Sequence, residues 1–127
     1  MGTNRYRTAA LFREELRQFL RRSEDAARDV GITPRQHLLM LQIAGNEGGT
    51  ATVTELVQKL ALTQSAVTEL VQRAEQAGLL ARATSSEDGR VVNLSLTADG
   101  ASRLAALDDA LGAERTHLRE LIEALDD

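Results

Sequence analysis

The chain has no cysteine, no tryptophan, one proline, and a single lysine, Lys59, among its 15 basic residues. Without cysteine it can form no disulfide, no thiolate metal site and no thiol-based redox switch. No stretch approaches the roughly 18 apolar residues of a membrane-spanning helix. The opening residues, MGTNRYRTAALFREEL, are charged throughout and lack the apolar centre of an export signal. A cytoplasmic protein with no membrane partner is therefore expected. Aromatics are scarce: Tyr6, Phe12 and Phe19 are the full set. The near-absence of lysine reads as a compositional bias. One proline and nine glycines in 127 residues suit a mostly helical chain. That length is one domain's worth, enough for one core but not for two.

The net charge of −4 is unevenly spread. Residues 1–30 hold seven arginines against five acids, and residues 31–49 are balanced. Residues 50–96 hold four basic residues against five acids, and residues 97–127 three against eight. The acidic surplus thus sits mainly in the last segment, and the middle of the chain is not basic. Non-specific attraction to phosphate is expected to be weak.

Helix signals are strong and well punctuated. A first helix is predicted over Tyr6–Asp29, with Ala9, Phe12, Leu16 and Phe19 at the three-and-four spacing of an interhelical seam, and Gly31 as its stop. Thr33-Pro34-Arg35-Gln36 opens a second helix as a capping box with proline at its first position. Its apolar face is read as Leu38, Leu39, Leu41 and Ile43, and the run Gly45 to Gly49 ends it. Thr52-Val53-Thr54-Glu55 is another capping box, beginning a short helix that ends near Leu60. Ala61 and Leu62 form a tight turn. Thr63 then caps a helix over Gln64–Gln76, with Val67, Leu70, Val71 and Ala74 inward and Gly78 as the stop. A short helix, a turn of three to four residues and a helix of about thirteen make a helix-turn-helix.

Strand signals occur in one place. Leu80–Thr84 leads into a polar loop with Asp88-Gly89-Arg90 at its tip, and Val92-Asn93-Leu94-Ser95-Leu96 alternates back. A two-stranded hairpin is marginal alone and must lie against helices. Its loop therefore projects, which is the layout of a winged helix-turn-helix and points to DNA. A last helix is predicted over Ala98–Leu125, with Leu104, Leu107, Leu111, Leu118, Leu121 and Leu125 in a seven-residue rhythm broken only at Glu114. That row and the aromatic stripe of the first helix both need a partner. Either the terminal helices of two chains interdigitate into a homodimer, the simpler solution, or they pack on each other within one chain.

The ordered string Val53-Thr54-Glu55-Leu56, Ala77-Gly78-Leu79-Leu80-Ala81-Arg82, Asp88-Gly89-Arg90 and Leu96-Thr97-Ala98-Asp99-Gly100 resembles the DNA-binding core of MarR-type bacterial transcription regulators. The flanking helices match that family's layout in length and order. The resemblance implies a mainly α fold with a two-stranded β wing. Residues 1–32 and 98–127 would be dimerisation helices around a winged helix-turn-helix at 33–97, all in one domain. It implies a homodimeric regulator, expected to be a repressor, on a pseudo-palindromic double-stranded operator.

Position by position, Gln64–Ala77 resembles the recognition helix, with Gln64, Ser65, Thr68, Glu69 and Gln72 facing outward. Glutamine can pair with adenine, and Ser65 and Thr68 suit bases or phosphates. Arg73 resembles a position that supports the backbone contact or pairs with an acid of the wing. Arg90 resembles the wing arginine that enters the minor groove. Asp88 is expected to hold Arg90 or Arg82 by an ion pair. Two departures stand out: Gly89 replaces a frequent second arginine, and Glu69 places a carboxylate on the recognition face. Both imply modest affinity, a strong dependence on sequence match and a shallow salt dependence.

The resemblance also implies a small aromatic or anionic effector where the dimer helices meet the winged module. Phe12, Phe19, His37 and Leu41 are the candidate lining, with plain core and dimer packing as the other reading of each. His37 and His117 have no ligand-spaced partner and read as surface or pocket-lining residues, so no metal or cofactor is expected. No phosphate loop or nucleophile motif is present, and a binding protein is expected rather than an enzyme. The other function open at this point is a winged module that dimerises but docks a protein partner instead of DNA.

Overall fold

A computed structural model describes residues 2–84 and 89–125. Among these, six α-helices and three short strands follow the order α1 (Gly2–Asp29), α2 (Pro34–Ala44), β1 (Thr50–Ala51), α3 (Val53–Leu60), α4 (Gln64–Gln76), β2 (Leu80–Thr84), β3 (Val92–Leu96), α5 (Ala98–Ala110) and α6 (Gly112–Ala124). The fold is mainly α with a small antiparallel sheet, as expected.

The caps do what their residue types dictate. Thr33 and Thr52 each accept from the backbone N–H three residues on, while Gln36 and Glu55 reach back to the cap's own N–H. Thr63 caps α4 and Thr97 caps α5 in the simpler one-way form. The turn between α3 and α4 places Ala61 at φ 54°, the one non-glycine residue with positive φ among the described residues. Gly31 and Gly78 both adopt φ 77° just past α1 and α4, where left-handed geometry ends a helix without strain on a Cβ.

Helix α2 is the hub of the molecule. It packs against α1, α3, α4, α5 and the sheet. Leu39, Met40 and Ile43 are fully buried there among Ile32, Leu56, Val67, Val71, Leu79, Leu94 and Leu107. This corrects the expected face. Leu38 and Leu41 point outward, 53% and 40% exposed, while Gln36, His37 and Met40 turn inward. Four leucine-like residues in eleven did not distinguish the stripe that faces the hub from the one that faces solvent.

The sheet has three strands in the order β1-β3-β2, one more than expected. Ala51 stands opposite Leu94, and Leu94 opposite Arg82, so β3 is paired on both sides. Two residues are too few to show the alternation that reveals a strand. Beyond buried Leu80, residues 81–84 of β2 are exposed, so the hairpin leaves the body as a projecting wing.

The last helix is not continuous. Leu111 leaves helical geometry at φ −99°, ψ 2°, and Gly112 starts α6. Arg115 closes the break from the far side, donating to the Asp108 carbonyl at 2.7 Å and its carboxylate at 2.9 Å. The helix α6 then packs on α1 of the same chain. Leu104, Leu107, Leu111 and Leu118 are thereby buried within one chain, and only the end of the row, half-buried Leu121 and Leu125 at 38% exposure, reaches the surface. The leucine row is therefore not one seam awaiting a partner. The terminal helices also leave other apolar side chains uncovered: Tyr6 at 73%, Leu20 at 51%, Ile122 at 51% and Leu11 at 42%.

Candidate nucleic-acid interface

Helix α4 is anchored by its inner face. Val67, Val71 and Ala74 are buried and Leu70 half-buried, which fixes the helix's rotation about its axis. The opposite face is then obligatory: Gln64, Ser65, Thr68, Glu69 and Gln72 line one shallow surface depression. The five residues expected to face outward do so together. Amides, hydroxyls and a carboxylate can exchange hydrogen bonds with base edges in a major groove.

Between α4 and the wing lies a cleft of about 530 Å3. Gln64 and Thr68 form its helical wall, Arg82, Arg90 and Val92 its wing wall, and Thr52 to Thr54 its end. The outward face of α4 and the arginine-bearing hairpin are thus continuous. Thr52, Val53, Thr54 and Val91 are cleft residues outside the expected set. Their signal was the capping box, since a cap that starts α3 against the sheet also sets the α3 N-terminus beside the wing.

Two arginines of this surface pair with acids of α4. Arg82 clamps Glu75, its Nε and Nη2 donating to both carboxylate oxygens at 2.6–2.8 Å. The guanidinium holds the Glu75 carboxyl below its ordinary pKa, and Glu75 in turn raises that of Arg82. The clamp joins the end of α4 to β2, across the tight turn at Gly78. Asp88, the expected partner, lies outside the described residues. Arg73 pairs with Glu69 one helical turn earlier on α4, Nη2 to Oε1 at 2.7 Å, and the acids of the wing, Glu87 and Asp88, lie outside the described residues. Arg90 is exposed on the lip of the cleft.

A third polar cluster supports the helix-turn-helix from behind. Asn46 donates to the Thr50 carbonyl at 2.8 Å and to Glu55 at 2.9 Å, and accepts from Lys59 at 3.3 Å. The Asn46–Glu55 bond first, and then the Thr52 backbone N–H, lower the Glu55 pKa and favour the anion its capping role needs.

The joint between α4 and α5 is tight. The Thr97 hydroxyl donates to the Gly78 carbonyl at 2.6 Å, and the Thr97 N–H to the Leu79 carbonyl at 3.0 Å. Buried Gly100 lies so close to the Leu79 backbone that a Cβ there would collide with the Leu79 carbonyl oxygen. Only glycine permits this approach. On the far side of α5, Arg103 donates to the Val30 carbonyl at 2.7 Å, just past the end of α1.

The four candidate effector residues are dispersed. Phe19 lines an open groove of about 440 Å3 between α1 and α6 with Glu15, Arg22, His117 and Leu118. His37 is buried, its Nδ1 3.4 Å from the Ser23 hydroxyl, and burial lowers its pKa although Asp108 acts to raise it. Leu41 is exposed, and Phe12 is half-buried on α1. Of the two histidines, His117 lines a groove as expected, and Glu15 lies 3.5 Å from its Nε2. His37 is instead a core residue. Among the described residues no three acids or histidines cluster as metal ligands, and no helix is long and apolar enough to cross a membrane.

The MarR family model matches residues 30–91, from just past α1 to the residue before β3. Two curated Bacillus subtilis proteins are similar in sequence. The HTH-type transcriptional repressor MdtR is 36% identical over 70 residues, 55% of this chain and 44% of that protein. The organic hydroperoxide resistance transcriptional regulator is 40% identical over 72 residues, 57% and 48% of the respective chains. The match thus spans just under half the length of each relative.

The fold is shared more widely. A mutant of S. aureus MepR bound to an oligodeoxyribonucleotide superposes with a TM-score of 0.74 at 20% identity, over 88% of this chain and 81% of that one. Wild-type apo MarR from E. coli gives 0.71 at 21%, over 88% and 82%. The YusO protein of B. subtilis gives 0.67 at 25%, over 98% and 88%. The central part of this chain is thus similar in sequence to MarR-family regulators, and its fold is one that solved MarR structures share.

Proposed function

We propose that this protein is a transcription regulator that binds double-stranded DNA as a homodimer, acting in the cytoplasm as a repressor on a pseudo-palindromic operator and having no enzymatic activity. The observation that carries the reading is the continuous surface formed by the outward face of α4 and the Arg90-bearing wing. A helix of about thirteen residues fits the major groove, and the wing then falls on the flanking minor groove, where narrow A·T-rich geometry attracts arginine. The relatives are described as repressors or regulators, and the MepR neighbour as bound to an oligodeoxyribonucleotide. The uncovered apolar residues Tyr6, Leu20 and Ile122 on the terminal helices support a second copy as the partner.

A two-fold dimer would set its recognition helices one DNA turn apart, about 34–36 Å. A small aromatic or anionic effector that moves the terminal helices would break that spacing. The α1–α6 groove, with Phe19 beside Arg22 and His117, is the better place to seek such a ligand. His37 is already committed to the core.

A mobility-shift assay on the DNA flanking the protein's own gene, at moderate salt, tests the reading. Retention that resists non-specific competitor DNA is the expected result. A chain that dimerises but shifts no such fragment would make the winged module a protein-docking one instead.

A further inference from the structure

We propose that Glu69 is a specificity determinant of the DNA surface, accepting a hydrogen bond from the exocyclic amine of a cytosine, and that Arg73 is the residue that positions it. The inference rests on the DNA-binding reading and goes beyond it, because it names the base that the face selects.

Glu69 occupies the sixth position of α4, in the half of a recognition helix that meets base edges. Ser65 lies one turn before it and Gln72 one turn after, and all three line the same depression. Its carboxylate therefore stands in the middle of the face and not on its rim. A carboxylate repels phosphate, so a glutamate at this point works against general affinity. It has a use there only if it meets a donor, and in the major groove the cytosine N4 amine is the donor matched to Glu and Asp.

The pair with Arg73 makes that use possible. The Nη2–Oε1 bond of 2.7 Å engages one carboxylate oxygen. Among the described residues, Oε2 takes no donor. Both side chains are well exposed, so the bond adds little to folding. It does reduce the rotamers open to a flexible glutamate before DNA arrives, and it lowers the local negative charge that phosphates would meet. Guanidinium offers five donors in a fixed fork, so Arg73 can keep Glu69 in place while another N–H faces a phosphate. The arrangement trades general affinity for discrimination, which suits a module whose middle segment has no basic surplus.

The test is selection of binding sites from a randomised duplex pool by the full-length protein, its Glu69→Gln and Glu69→Ala variants, Arg73→Ala and Arg73→Lys. The parent is expected to enrich half-sites with a cytosine at one fixed position, favoured about tenfold over other bases. Glu69→Gln should move that position towards adenine, and Glu69→Ala should erase the preference there alone. Arg73→Ala should weaken it with the thermal midpoint unchanged, and Arg73→Lys should restore part of it. A merely structural arginine would change neither base preference nor its rescue. If the parent enriches a motif that both Glu69 variants share unchanged, Glu69 only repels phosphate and the inference is overturned, while the DNA-binding reading stands. If the parent enriches no motif, both fall.

Discussion

The winged module and the terminal helices solve the same problem, burial of apolar surface, to different degrees. In the module, Leu39, Met40, Ile43, Leu56, Val67 and Leu94 have no exposure at all. Every helix start there has a threonine cap, and two of the three have a full capping box. Local signals and tertiary packing agree, which marks a segment that specifies its own fold. The terminal helices bury Ala27, Leu104, Leu107, Leu111 and Leu118 but leave Tyr6, Leu11, Leu20 and Ile122 in solvent. The module has its own exposed apolar side chains, Leu38 and Leu41 on α2 and Val91 on the wing, but they surround a fully buried centre, whereas the terminal helices expose theirs along most of their length. The contrast is one of degree: a dense core in the part that would meet DNA, and thinner burial in the part that would meet another copy.

The largest test of this contrast deletes equal side chains on either side of it. Leu94→Ala removes a fully buried residue at the centre of the sheet and should cost about 2–5 kcal/mol in denaturant unfolding. Ile122→Ala and Leu20→Ala should leave the monomer nearly unchanged and instead raise the dissociation constant of the dimer in sedimentation equilibrium. Equal loss of chain stability from all three would erase the distinction. Next in size, Arg90→Ala should weaken operator binding by about 1–3 kcal/mol without altering dimerisation. Binding as tight as the parent's would remove the wing from the DNA surface.

Thr52→Ala takes away the cap of α3 and should cost roughly 1 kcal/mol, measured by thermal unfolding. The smallest effect concerns His37. Burial holds its folded pKa below the ordinary 6.5, so the folded state favours the neutral ring. Its contribution is complete above that value and declines as pH falls through it. Thermal midpoints taken from pH 8 down to 5 should drop more in the parent than in His37→Gln. Parallel curves would show that the ring is not desolvated.

Much of this architecture was legible in the sequence because caps and turns act locally. Thr33, Thr52, Thr63, Gly31 and Gly78 marked the ends of elements whose boundaries the structure reproduces to within a residue or two. The outward face of α4 was legible too, since its complement is apolar at regular spacing. What escaped depends on distant parts of the chain. Nothing near Leu38 and Met40 tells which one faces the hub. The two residues of β1 make a strand only because β3 lies beside them. The regular leucines of the last segment hid the break at Leu111, and Arg115 satisfies Asp108 from a turn beyond it. The Arg82–Glu75 clamp reaches across the turn at Gly78, so no local spacing reveals it.

The joint at Gly100 has a consequence for regulation. Because α5 begins against the bare backbone of Leu79 and its Thr97 is bonded to the Gly78 carbonyl just past α4, the two helices meet through direct contact. A tilt of α5 would therefore be felt at the end of α4. In a dimer joined by its terminal helices, the distance between the two outward faces of α4 would then depend on how α5 lies. A ligand that moved α5 would not need to touch α4.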